Sequence, residues 1–205
     1  VDGIRQSAAE CYLRPALHRP NLTVVTGAQA ARIAVAGGQA RSLTYIRKDG
    51  TVTVEAAREI VLCGGVVNSP QLLQLSGIGD PRDLRAAGVD VVHALPGVGR
   101  NLKDHVSVSL KQRMTRPLSL LRDLKPLAAA RAVAQYLLFR SGPTAVGGLE
   151  AWAHLKSRAD LEHADIQLYT VPLLYDDHGR KVIREEGFQA VINGNPRTVP
   201  VLAGT

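Results

Sequence analysis

The chain has 205 residues, 45% of them hydrophobic, a mean hydropathy near zero and a formal charge of +7 from 25 Lys and Arg against 18 Asp and Glu. It therefore carries enough apolar material for one large core or parts of two. The basic residues lie scattered in ones and twos, as at Arg14, Arg19, Arg32, Arg41, Arg47 and Lys48. With two Phe, one Trp and five Tyr there is little to stack on bases, and both features speak against nucleic-acid binding.

No apolar run reaches transmembrane length and no signal peptide is visible. Cys11 and Cys63 lie far apart in the sequence and suggest no disulfide framework; Cys63, which closes the apolar run Ile60-Val61-Leu62, reads as a small buried thiol. Val1 stands where an initiator Met would, which points to an internal piece of something longer.

In chain order, SAAECYLRPAL has helical spacing with Ser7 as N-cap and Pro20 beyond its end. NLTVVTGAQAARIAV has the β-branched density of a strand, broken at Gly27. ARSLTYIRK and TVTVEAA flank Asp49-Gly50, a strong hairpin signal. EIVLCGG, residues 59–65, is unbroken and apolar, as expected of a parallel strand covered on both faces. A helix from Pro70 to Leu75 leaves its carboxyl end, started by Ser69-Pro70. In DPRDLRAAG, Asp80 caps, Pro81 takes the first turn and Gly88 stops the helix. VDVVHAL reads as another strand, so the first hundred residues have α/β character.

The pattern changes near His105. HVSVSLKQRM alternates like a half-buried strand, PLAAARAVAQYLLF is a helix opened by Pro126, and ADIQLYTVPLL and FQAVING are further strands. This half reads as α+β.

The stretch VLCGGVVNSPQLLQLSGIG carries the function. Gly64 and Gly65, without Cβ atoms at the end of a strand, let a backbone or a ligand approach closely, and a helix start offers unpaired N–H groups to a phosphate or a polar ring edge. Taken alone, the glycines fit equally a tight turn that binds nothing. The wording goes further: it resembles the second signature of the glucose-methanol-choline (GMC) flavoprotein oxidoreductases, with Gly65, Ser69, Pro70, Leu72, Leu73, Ser76, Gly77, Ile78 and Gly79 in register. Val66 departs where a smaller residue is usual. LPGVGRNLKDH, Leu95 to His105, and SAAECYLRPALHRPNLTVVTGAQAARI resemble neighbouring segments of the same family. The substrate-domain strands ADIQLYTVPLL and EEGFQAVING resemble its choline dehydrogenase branch, so the likeness runs from Ser7 to Asn193.

The resemblance implies an α/β plus α+β fold. Residues 1–105 would be part of an FAD-binding Rossmann-like domain without its N-terminal dinucleotide turn, and residues 106–205 part of a substrate-binding antiparallel-sheet domain. The implied reaction is hydride transfer from a CH–OH donor to FAD, with a small alcohol as substrate and neither nucleic acid nor metal as partner. The implied location is the cytoplasm or the periphery of the inner membrane. Ala30, Gly64, Gly65 and Ser69 would touch the cofactor.

The family's Gly-x-Gly-x-x-Gly turn is not in these residues: Gly97-Val98-Gly99 is followed by Leu102 in the third position, and Gly77-Ile78-Gly79 by Arg82. None of the six His precedes a Pro, so the resemblance puts the catalytic His, with the N- and C-terminal portions of the polypeptide, outside the chain. The isolated chain is then expected to be inactive; the alternative is a non-catalytic binding or scaffold module built on the same fold. The tail NPRTVPVLAGT departs from the family pattern.

Other candidates have plainer readings. His105 fits a loop anchor better than a catalytic group, and Asp104 a cap for backbone N–H groups. Asp176, Asp177 and His178 imitate a metal cluster, but adjacent loop residues seldom converge on one ion. Glu185-Glu186 reads as a solvated pair.

Overall fold

The computed structural model describes residues 3–149 and 151–195. They fall into two compact units, one of Arg19–Leu102 and the other of the segment up to His18 together with the chain from Lys103 on. A linear division at His105 does not anticipate that the N-terminal helix groups with the later half.

That helix is a π-helical turn, Ala9–Leu13, running into α1 (Arg14–Ala16). Ser7 Oγ accepts the Glu10 N–H at 3.3 Å, as an N-cap would.

In the unit Arg19–Leu102, β1 (Gln29–Ala36), β2 (Gln39–Arg47) and β3 (Gly50–Glu55) form an antiparallel meander in that order. The first hairpin turns through Gly37-Gly38, both at positive φ, which the two-residue loop requires. The second closes on the pair Arg47 and Gly50, so the Asp49-Gly50 signal does mark a hairpin. The strand expected from residue 21 begins only at Gln29, after the break at Gly27. α2 (Gly65–Leu75) follows, then the short parallel pair β4 (Ile78–Gly79) and β5 (His93–Ala94), with α3 (Pro81–Ala86) between them. α3 is capped as its sequence dictates: Asp80 Oδ1 accepts the Arg82 N–H at 2.9 Å.

Three expectations fail here. Residues 59–63 are not a buried strand: they are unpaired, Val61 is 72% exposed and Cys63 is exposed rather than buried. A strand buried on both faces needs a neighbour on each side, and none of the described strands pairs with this run. Nor does α2 start at Ser69-Pro70. It starts at Gly65, placing Pro70 inside the helix, where it supplies no N–H to the Val66 carbonyl. VDVVHAL likewise shrinks to the two residues of β5.

The other unit is built on a four-stranded antiparallel sheet of β6 (Val106–Arg113), β7 (Ala151–Leu155), β8 (Ile166–Val171) and β11 (Gly187–Gly194), in the order β6-β11-β8-β7. β9 (Tyr175–Asp176) and β10 (Lys181–Val182) pair in the connection before β11. β6 is exposed along its whole length instead of half-buried, being an edge strand that among the described strands pairs with β11 alone.

Between β6 and β7, a 3₁₀ turn (Leu120–Leu124), α4 (Pro126–Phe139) and a second 3₁₀ turn (Pro143–Ala145) follow one another. The Pro126 start matches the sequence. α4 is turned unexpectedly: its more buried side carries Ala128, Ala129, Ala132 and Tyr136, and the Ala132 carbonyl accepts from Thr144 Oγ1 at 3.0 Å. Its leucines and Phe139 face out, with Leu127 85% and Leu138 74% exposed.

Candidate functional site

β1 is an edge strand, so alternate backbone groups along its free side have no sheet partner. One of them, the Ile33 N–H, donates at 2.8 Å to Ser76 Oγ, which itself donates at 2.6 Å to the Leu72 carbonyl. Ser76, 1% exposed, thus ties the end of α2 to the middle of β1. On the same side, toward the start of β1, lies a cavity of about 400 Å³ whose lining includes Ala30, Leu43, Ile60, Gly64, Ser69 and Leu72.

This cavity brings together three of the four residues expected at the cofactor, Ala30, Gly64 and Ser69; Gly65 stands just beyond, at the first position of α2. The register of β1 slips between Ala30 and Arg32, a bulge that re-aims the backbone where Ala30 meets the cavity. Gly65 has φ +79°, and a Cβ there would meet nothing within 4 Å, so its glycine serves the turn and leaves open space. The first turn of α2 has no side-chain cap, which leaves its amide groups available. Ser69 has a local role: its Oγ accepts the Gly64 N–H at 3.0 Å, closing the turn into α2.

Gln29 and Asn68 also line the cavity. Both lie inside the stretches the resemblance marks, beside Ala30 and Ser69, but their side chains were not singled out as site residues.

The cavity's make-up fits the adenosine end of FAD. Leu43, Ile60, Val61, Leu62, Leu72 and Leu75 supply apolar faces for a flat ring, and Gln29, Asn68, Ser69, Gln71 and nearby backbone supply polar groups for its edge. The described residues contain no comparable cradle for the pyrophosphate.

The remaining signature residues hold the fold together. Gly77 has φ +80°, and a Cβ there would lie 2.4 Å from the Asp90 carbonyl oxygen and 2.7 Å from a Val92 methyl. That close approach lets β4 run beside β5, with the Gly77 carbonyl accepting the Val92 N–H at 2.8 Å. Gly79 is buried and packs in ordinary contact with Leu84. The Leu-Pro-Gly-Val-Gly segment closes over the same corner: the Leu95 N–H donates to the Gly79 carbonyl at 2.9 Å, and Arg100 reaches Asp83 at 2.6 Å and Asp80 at 3.5 Å. The Asp80 carboxyl is held below its ordinary value, chiefly by the Arg82 N–H.

In the other unit, Asp104 Oδ1 accepts the His105 N–H at 2.8 Å, the local capping read from the sequence. His105 lines a polar cavity of about 550 Å³ together with His154, Gln167 and Asn193. Asp176 meets Lys111 and Asp177 meets Arg180, while the His178 side chain lies outside the described residues. No group of three metal-ligating side chains occurs among the described residues. The Glu185-Glu186 pair is more than solvated: Glu185 bridges to Arg113 at 2.7 Å and Glu186 accepts the N–H of buried Ser119 at 3.1 Å. The tail from residue 196 on lies outside the described residues. No described helix is long and apolar enough to cross a membrane.

Residues 1–107, more than half of the chain, match the family model of the GMC oxidoreductases. The chain belongs to that family. Over 215 aligned residues it is 36% identical to the oxygen-dependent choline dehydrogenase of Brucella anthropi, covering 98% of this chain and 39% of that protein. Over 188 residues it is 38% identical to the mitochondrial choline dehydrogenase of Homo sapiens, covering 92% and 32%. Among solved structures, a formate oxidase of Aspergillus oryzae RIB40 superposes with a TM-score of 0.80 at 23% identity, over 95% of this chain and 38% of that one. That likeness establishes the fold. The chain spans about two fifths of the length of the Brucella relative.

Proposed function

We propose that these residues form the middle portion of an FAD-dependent alcohol oxidoreductase. In this reading residues 1–105 contribute the adenosine-side wall of an FAD-binding domain and residues 106–205 part of a substrate-binding sheet. The observation that carries it is the cavity beside β1, where Ala30 and Gly64 meet the start of α2 within the GMC signature.

Ala30, at the bulge of β1, would offer backbone amide and carbonyl to the adenine edge. Gly64 and Gly65 would meet the ribose side through backbone, Gly65 because a Cβ there would stand in open space and Gly64 because it lies tight against Asn68 and Ser69, whose Oγ keeps that turn closed. Bound FAD would supply the redox chemistry, accepting a hydride from the carbinol carbon of the alcohol. The dinucleotide turn and the catalytic His would come from the N- and C-terminal portions of the same polypeptide. The same reading puts that protein in the cytoplasm or at the periphery of the inner membrane.

A chimera tests this. The matching segment of the Brucella anthropi choline dehydrogenase is replaced by residues 1–193 of this chain, and bound flavin is read by visible absorbance after gel filtration. A yellow chimera that reduces an artificial acceptor with an alcohol is expected, and Gly64→Val should lose the flavin while retaining helical circular dichroism. A folded, colourless chimera would refute the reading and leave the scaffold module in its place.

A further inference from the structure

The register of the four-stranded sheet puts Ser107, Ser109 and Lys111 of β6, Gln189, Val191 and Asn193 of β11, and Gln167 and Tyr169 of β8 on one face, because directly paired residues share a face. The opposite face carries Val106, Val108, Leu110, Ile192 and Leu168. A cavity of about 500 Å³ opens on the polar face, lined by Ser107, Ser109, Lys111, Tyr169, Tyr175 and Gln189 among others, within the range of about 300–1,000 Å³ usual for small-molecule sites.

Gln189 is the telling residue. It is 2% exposed, and its Oε1 accepts the Tyr175 N–H at 3.3 Å. Its amide nitrogen, with two hydrogens to donate, has no hydrogen-bond partner among the described residues. A buried donor left unpaired costs stability, so its retention at a cavity wall marks a place where something else accepts. The hydroxyls of Tyr169 and Tyr175 also lack partners among the described residues. Burial, with Tyr169 beside it, holds the Tyr175 hydroxyl above its ordinary value, so it remains a neutral donor.

The charges at this cavity are matched. Lys111 pairs with Asp176, and Asp177 lies 4.0 Å from Arg180. Among the described residues the lining is rich in donors and its charges are paired.

We infer that this cavity takes a small uncharged molecule bearing several hydroxyl or carbonyl oxygens, with the Gln189 amide as the principal donor to it. Resting on the oxidoreductase reading, this makes the substrate class a neutral polyol or hydroxy-carbonyl compound. A quaternary ammonium alcohol would offer a positive charge where none is called for and only one oxygen to the donors.

The experiment uses the 205-residue chain without flavin. Saturation-transfer NMR is run with glycerol, D-glucose and choline as probes, each alone and then in competition. Transfer to glucose or glycerol is expected, undiminished by an equal concentration of choline. Tyr169→Phe removes one donor from a half-buried position, and Gln189→Leu removes the amide. Each should weaken polyol binding about tenfold; Gln189→Leu also strands the Tyr175 N–H that its Oε1 accepts and so lowers the melting temperature, whereas Tyr169→Phe leaves it unchanged and reads the binding alone.

Absence of transfer to either polyol, choline competing on equal terms, or binding unchanged in both variants would overturn the inference. The two readings fail separately. Choline bound at this cavity would sink the substrate class while leaving the flavin reading intact, and a colourless chimera would sink the flavin reading whatever the sheet binds.

Discussion

Replacing Ser76 by Ala probes the junction on which the signature rests. The hydroxyl serves two groups at once, accepting from the Ile33 N–H at 2.8 Å and donating to the Leu72 carbonyl at 2.6 Å. Leu72 is four residues earlier in α2, so its carbonyl also receives the Ser76 backbone N–H at 3.1 Å and survives the change. The Ile33 N–H does not: Ile33 is 4% exposed, and no other described group accepts from its amide. Stranding one buried donor costs about 1–3 kcal/mol, and about 2 kcal/mol corresponds to roughly a thirtyfold shift in an equilibrium constant. Amide hydrogen exchange reads this at the residue itself. The Ile33 amide should exchange about thirtyfold faster in Ser76→Ala, while amides in the middle of β2 slow or quicken much less. A urea melt of the same variant should move down by about 1 M for a slope near 2 kcal/mol per molar. Ile33 exchange within threefold of the parent would show that the hydroxyl does not hold the strand to the helix.

Gly77→Ala should be far more damaging than Gly65→Ala in thermal melts. Both sit at positive φ, which costs a side-chain-bearing residue about 1–2 kcal/mol, but only at Gly77 would the new Cβ collide with a carbonyl, at 2.4 Å. Equal losses would refute the assignment of Gly65 to open space. Because the Asp80 carboxyl is held below its ordinary value, the stability it gives is present above about pH 4, the pKa of the unfolded carboxyl, and is lost as the pH falls through the lower folded value. Asp80→Asn keeps a capping oxygen but not the charge, so its melting temperature should fall less than the parent's between pH 6 and pH 3. An identical fall would assign the acid sensitivity elsewhere. The 205-residue chain mixed with FAD should stay colourless after gel filtration and oxidise no alcohol, since adenosine contacts alone do not replace the charge-assisted bonds to a pyrophosphate, worth about 1.5–3 kcal/mol each. A yellow, active monomer would reverse that.

Local chemistry made much of this structure legible. Asp80-Pro81, Asp49-Gly50 and Pro126 each specify their turn or helix start without outside help, and the structure follows them. The run from Ile60 to Cys63 shows the limit. Its apolar continuity describes a strand with neighbours on both sides, and without them among the described residues the same run forms no strand and is partly exposed. Ser69-Pro70 misled for a different reason: proline favours a first turn, but Gly65 at positive φ and the Ser69 hydroxyl on the Gly64 amide begin α2 one turn and more earlier. At the cavity beside β1, Ala30 and Gly64 were visible because a motif marked them. Gln189, on the sheet, was not, because only the pairing of distant strands shows that this polar residue is walled in.

The orientation of α4 inverts the usual map of mutational tolerance. A helix that turns alanines toward its neighbours lies close to them, and at Ala132, 7% exposed, a branched or ring side chain would have to displace what covers it. The leucines on its far side touch little. Ala132→Leu should therefore disturb the helix more than Leu127→Ser or Leu138→Ser, and a selection for folded, soluble chains should enrich polar residues at 127, 137 and 138 while keeping 132 small. In this segment the leucines mark the outside, and the inner stripe is three alanines and a tyrosine.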